Sequence, residues 1–119
     1  MDEKKSYRFS KINRLKSHNG FQLVYTTGRS VVDSMSVFYV LPSECEAVRI
    51  GLAVGKKLGN AVVRNKIKRL MREVFRHHQH QLKNHTQIIW VARKKLATAD
   101  ISTYDRIFMR LAKRADLLK

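Results

Sequence analysis

The sequence predicts an α+β fold of three helices and about four strands, with a strand–helix–strand crossover at its centre. Three observations support it. Val63, Ile67, Leu70, Met71, Val74 and Phe75 recur at the spacing of a single helical face, which predicts one amphipathic helix over residues 61–78. Residues 37–41, 48–54 and 87–92 are apolar, β-branched or aromatic runs of strand length. The last two runs flank the helix, an order that pairs them in parallel through a crossover.

Taken in order, residues 1–13 are polar and basic and read as an arm. Ser17 is placed to cap a short helix over 18–27, with Phe21, Val24 and Tyr25 on one side and Gly28 as its stop. Residues 30–41 are strand-like and end at Pro42, with an extra strand expected near 30–33. Within 48–54, alternation sets Ile50, Leu52 and Val54 on one face and Arg49, Gly51 and Ala53 on the other. The second face is small, with room for something to lie against it. Asn60 is the expected cap of the 61–78 helix. Residues 87–92 are apolar on both faces, which makes them a central strand and puts Trp90 in the core. Ser102 and Asp105 are spaced as a capping box for a last helix with the stripe Tyr104, Ile107, Phe108, Leu111, Ala115 and Leu118. No repeat, low-complexity tract or linker interrupts the chain, so residues 1–119 read as one domain.

Charge narrows the function. The chain carries 25 Lys and Arg against 9 Asp and Glu, a formal charge of +16. Between residues 47 and 99, thirteen cations face one acid, Glu73. Self-repulsion on that scale opposes a compact monomer, and a polyanionic partner relieves it. Nucleic acid is favoured over an anionic membrane. The basic helix needs its apolar stripe for a small core, and no aromatic-rich amphipathic segment is left to lie in an interface. No apolar run approaches the roughly 20 residues of a membrane span. The N-terminus lacks a signal peptide's apolar stretch, so a cytoplasmic protein is expected. The single cysteine, Cys45, precludes an internal disulfide, and its neighbours Glu44 and Glu46 are poor company for a nucleophilic thiolate.

No catalytic residues are expected. The acids are scattered, with no D-x-D, D-x-E or H-E-x-x-H arrangement from which a self-sufficient phosphoryl-transfer centre could be built. His77, His78, His80 and His85 cluster, but no cysteine is near and no acid completes a coordination sphere, so a solvated helix end is expected rather than a metal site. Binding chemistry is better represented. Arg64, Lys66, Lys68, Arg69, Arg72 and Arg76 occupy the circumference that the apolar stripe leaves, with Asn65 among them. Gly59-Asn60 opens that helix, whose first N–H groups favour phosphate. Phe21, Tyr25 and Tyr39 are suited to line a groove beside the small-residue face and stack unpaired bases. For Phe21 and Tyr25, ordinary packing under a short helix explains the residues equally well.

Lys56-Lys57-Leu58-Gly59-Asn60-Ala61-Val62-Val63-Arg64-Asn65-Lys66-Ile67-Lys68-Arg69 resembles the signature of the bacterial ribonuclease P protein component. Asn13-Arg14-Leu15-Lys16, Phe21-Gln22, Gly28-Arg29-Ser30-Val31, Arg49-Ile50-Gly51-Leu52-Ala53-Val54 and Ile88-Ile89-Trp90-Val91-Ala92-Arg93 are similar to other parts of that family, so the likeness covers roughly residues 12–112. The resemblance implies a two-layer α/β sandwich on a mixed sheet, with a left-handed βαβ crossover carrying the basic helix. It implies a protein subunit that binds a large catalytic RNA and the 5′ leader of precursor tRNA. The RNA supplies the active site for magnesium-dependent endonucleolytic removal of the leader and holds most of the Mg2+. Lys56, Lys57, Asn60, Arg64, Asn65, Lys66, Lys68, Arg69 and Arg72 are then expected on the catalytic RNA or leader phosphates, and Phe21, Tyr25 and Tyr39 on the leader. No organic cofactor and no membrane are implied, and the protein alone is expected to be monomeric.

Three positions depart from the family pattern. Lys66 stands where arginine is frequent, which replaces a bidentate fork by a point charge. Gly55 replaces a common serine, and Ser36 stands where an aromatic is frequent, which removes one expected stacking platform. On the residues alone two rivals stay open: a ribosomal or RNA-chaperone protein of similar charge and size, and a protein-only metal nuclease built on the histidines.

Overall fold

A computed structural model describes residues 18–119. The expected arm, the Ser17 cap and the Asn13-Arg14-Leu15-Lys16 segment lie outside the described residues. Helix α1 spans His18–Thr27, followed by β1 (Arg29–Val32), β2 (Ser36–Pro42), β3 (Arg49–Ala53), α2 (Ala61–His78), β4 (Thr86–Ala92) and α3 (Ile101–Arg114). Short 3₁₀ turns cover Lys56–Leu58, Gln79–Gln81 and Lys94–Thr98.

The sheet has the order β1-β2-β4-β3. β2 pairs antiparallel with β1 and β4, and β3 pairs parallel with β4. The sheet is therefore mixed, with α2 in the crossover between its two parallel strands. The strand-like run over 30–41 divides in two because Asp33 turns the chain. Its Oδ1 accepts the Met35 N–H at 3.0 Å, and its own N–H donates to the Ser36 carbonyl at 2.8 Å.

Alternation gives the sheet two unequal faces. Phe38, Val40, Ile50, Ile88 and Trp90 meet Ile67, Met71 and Phe75 of α2 and Tyr104, Phe108 and Leu111 of α3 in the main core. Phe38, Trp90 and Phe108 pack mutually in edge-to-face and tilted pairs, with ring centroids 5.0–5.9 Å apart. On the other face Val24 of α1 packs on Ile89, with Phe21, Tyr39, Leu41, Ala53 and Val91 only partly buried around them. Two long helices roof one face, and one ten-residue helix covers part of the other.

Three expectations need correction. Ser36 does not sit on the α1 face. It is fully buried toward the main core, where its Oγ accepts the Trp90 indole N–H at 2.9 Å. Having serine there therefore removes no stacking platform. The cap of α3 is Asp100, whose Oδ1 accepts the Thr103 N–H at 3.0 Å, and not Ser102. Asp105 meets His78 instead, at 2.6 Å from Nε2. Leu118 lies beyond α3, in a β-bridge to Leu82. The helix stops at Arg114 because Asp116 takes a left-handed φ of 58°, which lets the Leu117 N–H reach the Ala112 carbonyl at 2.8 Å.

Candidate nucleic-acid interface

The basic helix starts from a backbone shape that only glycine takes easily. Gly59 has φ 148°, and a Cβ there would lie 2.9 Å from Val63 Cβ. Asn60 Oδ1 then accepts the Val63 N–H at 3.0 Å and caps α2 as expected. Burial of Ile67, Met71, Val74 and Phe75 sets the rotation of the helix. At about 100° per residue, Asn65, Lys66 and Arg69 point outward and are exposed, while Arg64, Lys68 and Arg72 flank the core and are half-buried. Lys56 and Lys57 are exposed on the 3₁₀ turn just before the helix.

Asn65, Lys66, Arg69 and Arg72 come together around a shallow depression that Val62 also lines. Val62 is 78 % exposed, an apolar side chain off the buried stripe that sequence reading passed over. Helical spacing was the available signal, since Val62 falls outside the i, i+4, i+7 series. Arg64 is partly engaged within the chain, its Nε donating to the Gly59 carbonyl at 3.1 Å. Among the described residues, the ion pairs involve Arg76, His77, His78, Lys83 and Arg110, and none involves the cations from Lys56 to Arg72. A cation array with no internal acid is available to external phosphates.

Phe21, Tyr25 and Tyr39 are gathered on the other face of the sheet. Tyr25 meets Tyr39 edge-to-face with centroids 4.9 Å apart, and Phe21 lies 6.4 Å from Tyr25. The Phe21 ring rests on Gly51, where a Cβ would come within 2.4 Å of its Cζ. The small-residue face of β3 thus has the occupant its pattern anticipates. Partial burial, and secondarily the neighbouring Tyr39, push the Tyr25 hydroxyl up from its ordinary pKa, so it stays a neutral donor. Tyr25 is still 36 % exposed. The register places Arg49, Gln87 and Leu41 in one row across this face, beside the row Gly51, Ile89 and Tyr39. Arg49 Nε is buried without a partner among the described residues, a second feature that sequence reading missed.

The aromatic cluster and the basic helix lie on opposite faces of the sheet, and β3 is the strand that links them in the chain. Phe21 sits on β3, and β3 leads through Lys56 and Lys57 into α2.

The histidines separate. His77 Nε2 lies 3.1 Å from Glu73 Oε2, and His78 pairs across to Asp105. Acids are thus near the cluster, yet no group of three His, Cys, Asp or Glu able to hold a metal occurs among the described residues. Nor is any helix among them long and apolar enough to cross a membrane.

Comparison with known proteins agrees with this architecture. The family model for ribonuclease P matches residues 9–116. The ribonuclease P protein component of Caldanaerobacter subterraneus is 36 % identical over 107 residues, which is 90 % of this chain and 92 % of that protein. The component from Streptococcus mutans is 40 % identical over 107 residues, 90 % of this chain and 89 % of that one. Among solved structures, a Staphylococcus aureus RNase P protein mutant with defective mRNA degradation activity superposes with a TM-score of 0.85 at 34 % identity, covering 91 % of this chain and 92 % of that one. The RNase P protein of Thermotoga maritima gives a TM-score of 0.79 at 30 % identity, covering 85 % and 96 %. A capped basic helix in a β3–α2–β4 crossover, an aromatic cluster on the opposite sheet face and a match over nearly the whole chain make this protein a member of the bacterial ribonuclease P protein component family.

Proposed function

We propose that this chain is the protein subunit of ribonuclease P, a single domain that binds the catalytic RNA and the 5′ leader of precursor tRNA in the cytoplasm. The observation that carries this reading is one fold that presents, on either side of its sheet, cations from Lys56 to Arg72 with no ion pair among the described residues and the Phe21, Tyr25 and Tyr39 cluster. The α2 array, with Lys56, Lys57 and Asn60, takes phosphates of the catalytic RNA and of the leader. The aromatic cluster stacks unpaired leader bases, a sequence-tolerant mode because every base has a π-face.

Hydrolysis belongs to the RNA. The polar side chains on the α2 surface are cationic, imidazole or amide apart from Glu73, which is engaged with Arg76 and His77, so they do not fit a hard cation that needs several oxygen ligands. Magnesium is therefore assigned to the RNA subunit. The protein lowers the electrostatic cost of folding and docking that RNA, and it adds leader affinity that mature tRNA cannot use. The protein on its own is read as a monomer.

The test is reconstitution. Precursor tRNA is incubated at low magnesium with ribonuclease P RNA, with this chain, and with both. Accurate 5′ cleavage that needs the RNA and is stimulated by the chain is the expected result. Cleavage by the chain alone, or no effect of the chain on cleavage or precursor affinity, would remove the proposal.

A further inference from the structure

A second basic surface runs along the opposite edge of the sheet. β1 is the edge strand away from β3, and α3 packs against it. Arg93 Nη1 donates to the Asp33 carbonyl at 3.1 Å, Arg110 Nη1 to Asp33 Oδ2 at 3.1 Å, and Arg114 Nη1 to the Val32 carbonyl at 2.9 Å. At the far end of β1, Arg29 Nη2 donates to the Ala115 carbonyl. Guanidinium groups from β1, from the end of β4 and from α3 thus line one seam. From residue 29 to residue 33 it is about 13 Å long at the strand rise.

A purely structural role accounts for only part of this. One N–H per arginine suffices to hold the β1–β2 turn against α3, and each guanidinium carries five. All four arginines are exposed, and no further acceptor for them occurs among the described residues. Two carboxylates border the seam: Asp33, whose side chain is only 8 % exposed, and Asp116 at the Arg29 end, which is paired with Lys83. An incoming group beside Arg93, Arg110 and Arg114 therefore meets the guanidinium forks rather than Asp33. Because one nitrogen of each fork is already tethered, less side-chain entropy is lost on binding. The geometry suits a row of phosphates, which occur about every 3.4 Å of axis along one strand of a duplex.

We propose that the β1–α3 seam, formed by Arg29, Arg93, Arg110 and Arg114, is a second binding surface for the sugar–phosphate backbone of RNA, separate from α2. It rests on the RNA-binding reading above and extends it. A protein with basic surfaces at both sheet edges engages two segments of the RNA at once, instead of resting against one.

Tethered cleavage tests this without disturbing the arginines. Cys45→Ser removes the only thiol. Ser34→Cys, exposed in the β1–β2 turn, and separately Val62→Cys, exposed on α2, then each carry an iron chelate that releases hydroxyl radicals. With ribonuclease P RNA bound, residue 34 is expected to cut a backbone segment distinct from the one cut from residue 62. Cuts from 62 with none from 34 overturn the second surface and leave α2 intact as an RNA face. No cuts and no RNA binding in either protein overturn the RNA-binding reading itself, and the seam with it.

Arg110→Gln with Arg114→Gln supplies an independent measure. Its salt dependence for the same RNA is expected to flatten by about two, roughly one per phosphate contact, and to add to the effect of substitutions on α2. A folded variant with unchanged affinity and slope overturns the proposal. Should the pair fail to fold, the tethered cuts decide.

Discussion

Replacing Gly51 by alanine places a methyl group 2.4 Å from Phe21 Cζ and 2.9 Å from both ring ε carbons. Carbon atoms in contact sit at about 3.5–4.0 Å, so the ring must retreat by roughly 1 Å or more, or swing off β3 altogether. Phe21 is half-buried, and losing this seat forfeits part of the ~1.5–3 kcal/mol that a fully buried phenylalanine contributes. A cost of about 1–2 kcal/mol is expected, a fall in Tm of about 4–8 °C for a chain of this size. Gly51→Ala should also weaken binding of precursor tRNA far more than binding of mature tRNA, because only the precursor has a leader to lie on the displaced ring. A double-mutant cycle isolates the contact. In a Phe21→Ala background the new methyl loses its three nearest neighbours, and Gly51→Ala should cost less than about 0.5 kcal/mol. Thermal melts and precursor titrations of the four proteins give the answer. A wild-type Tm for Gly51→Ala, or the same cost in both backgrounds, refutes the seating of Phe21 on β3.

Asn60→Asp keeps a capping oxygen for the Val63 N–H but sets a negative charge among the cations. Stability should hold within about 0.5 kcal/mol of wild type, while RNA affinity falls; equal affinity would take the α2 entrance out of the interface. Ser36→Ala leaves the fully buried Trp90 indole N–H without its acceptor, and chemical denaturation should register a loss of about 1–3 kcal/mol. Desolvation pushes the Tyr104 hydroxyl up to about 12 from its ordinary 10.0, so its folded-state pKa lies above its unfolded one. Its contribution is complete below pH 10.0 and is lost as pH rises toward about 12, since only the unfolded chain releases the proton in that window. Urea melts across that range should show the decline, and Tyr104→Phe should flatten it even though the hydrogen bond to the Leu96 carbonyl goes too.

What could be read from the sequence was what depends on neighbours along the chain. α2 has the expected bounds because its apolar period and its cap are both local, and β4 is central because both of its faces are apolar. Gly51 announced a close approach through the alternation of β3, although its partner Phe21 is thirty residues away. Contacts between residues distant in sequence carried no such signature. Ser36 was misplaced because its role is set by Trp90, 54 positions on, and the Arg110–Asp33 tie spans 77. Asp100 won the cap of α3 over Ser102 because its carboxylate reaches the Thr103 N–H, a choice between two good caps two residues apart that spacing cannot make. The candidate site was legible as residue types, and its arrangement on two sheet faces was not. That Phe21 seats on Gly51 follows from which face α1 covers, and tertiary packing decides that.

Where the acids stand leaves the first turns of the basic helix without a carboxylate partner among the described residues. Asp33 is held by Arg110, Glu73 by Arg76 and His77, Asp105 by His78 and Asp116 by Lys83, while Asp100 caps α3. Every one of these contacts lies away from the first turns of α2, where Lys66 and Arg69 are exposed and have no ion pair among the described residues. Removing that pair should therefore cost the fold almost nothing, within about 0.5 kcal/mol, and can even relieve repulsion. Binding should respond strongly. Lys66→Ala with Arg69→Ala is expected to lower the slope of log affinity against log salt by about 1.4–1.8, the counterion release of two phosphates. A change confined to binding identifies α2 as an interface that the core merely holds in place. An unchanged slope accompanied by a lower Tm would mean that these cations serve the fold, and RNA contact would have to be sought elsewhere on the protein.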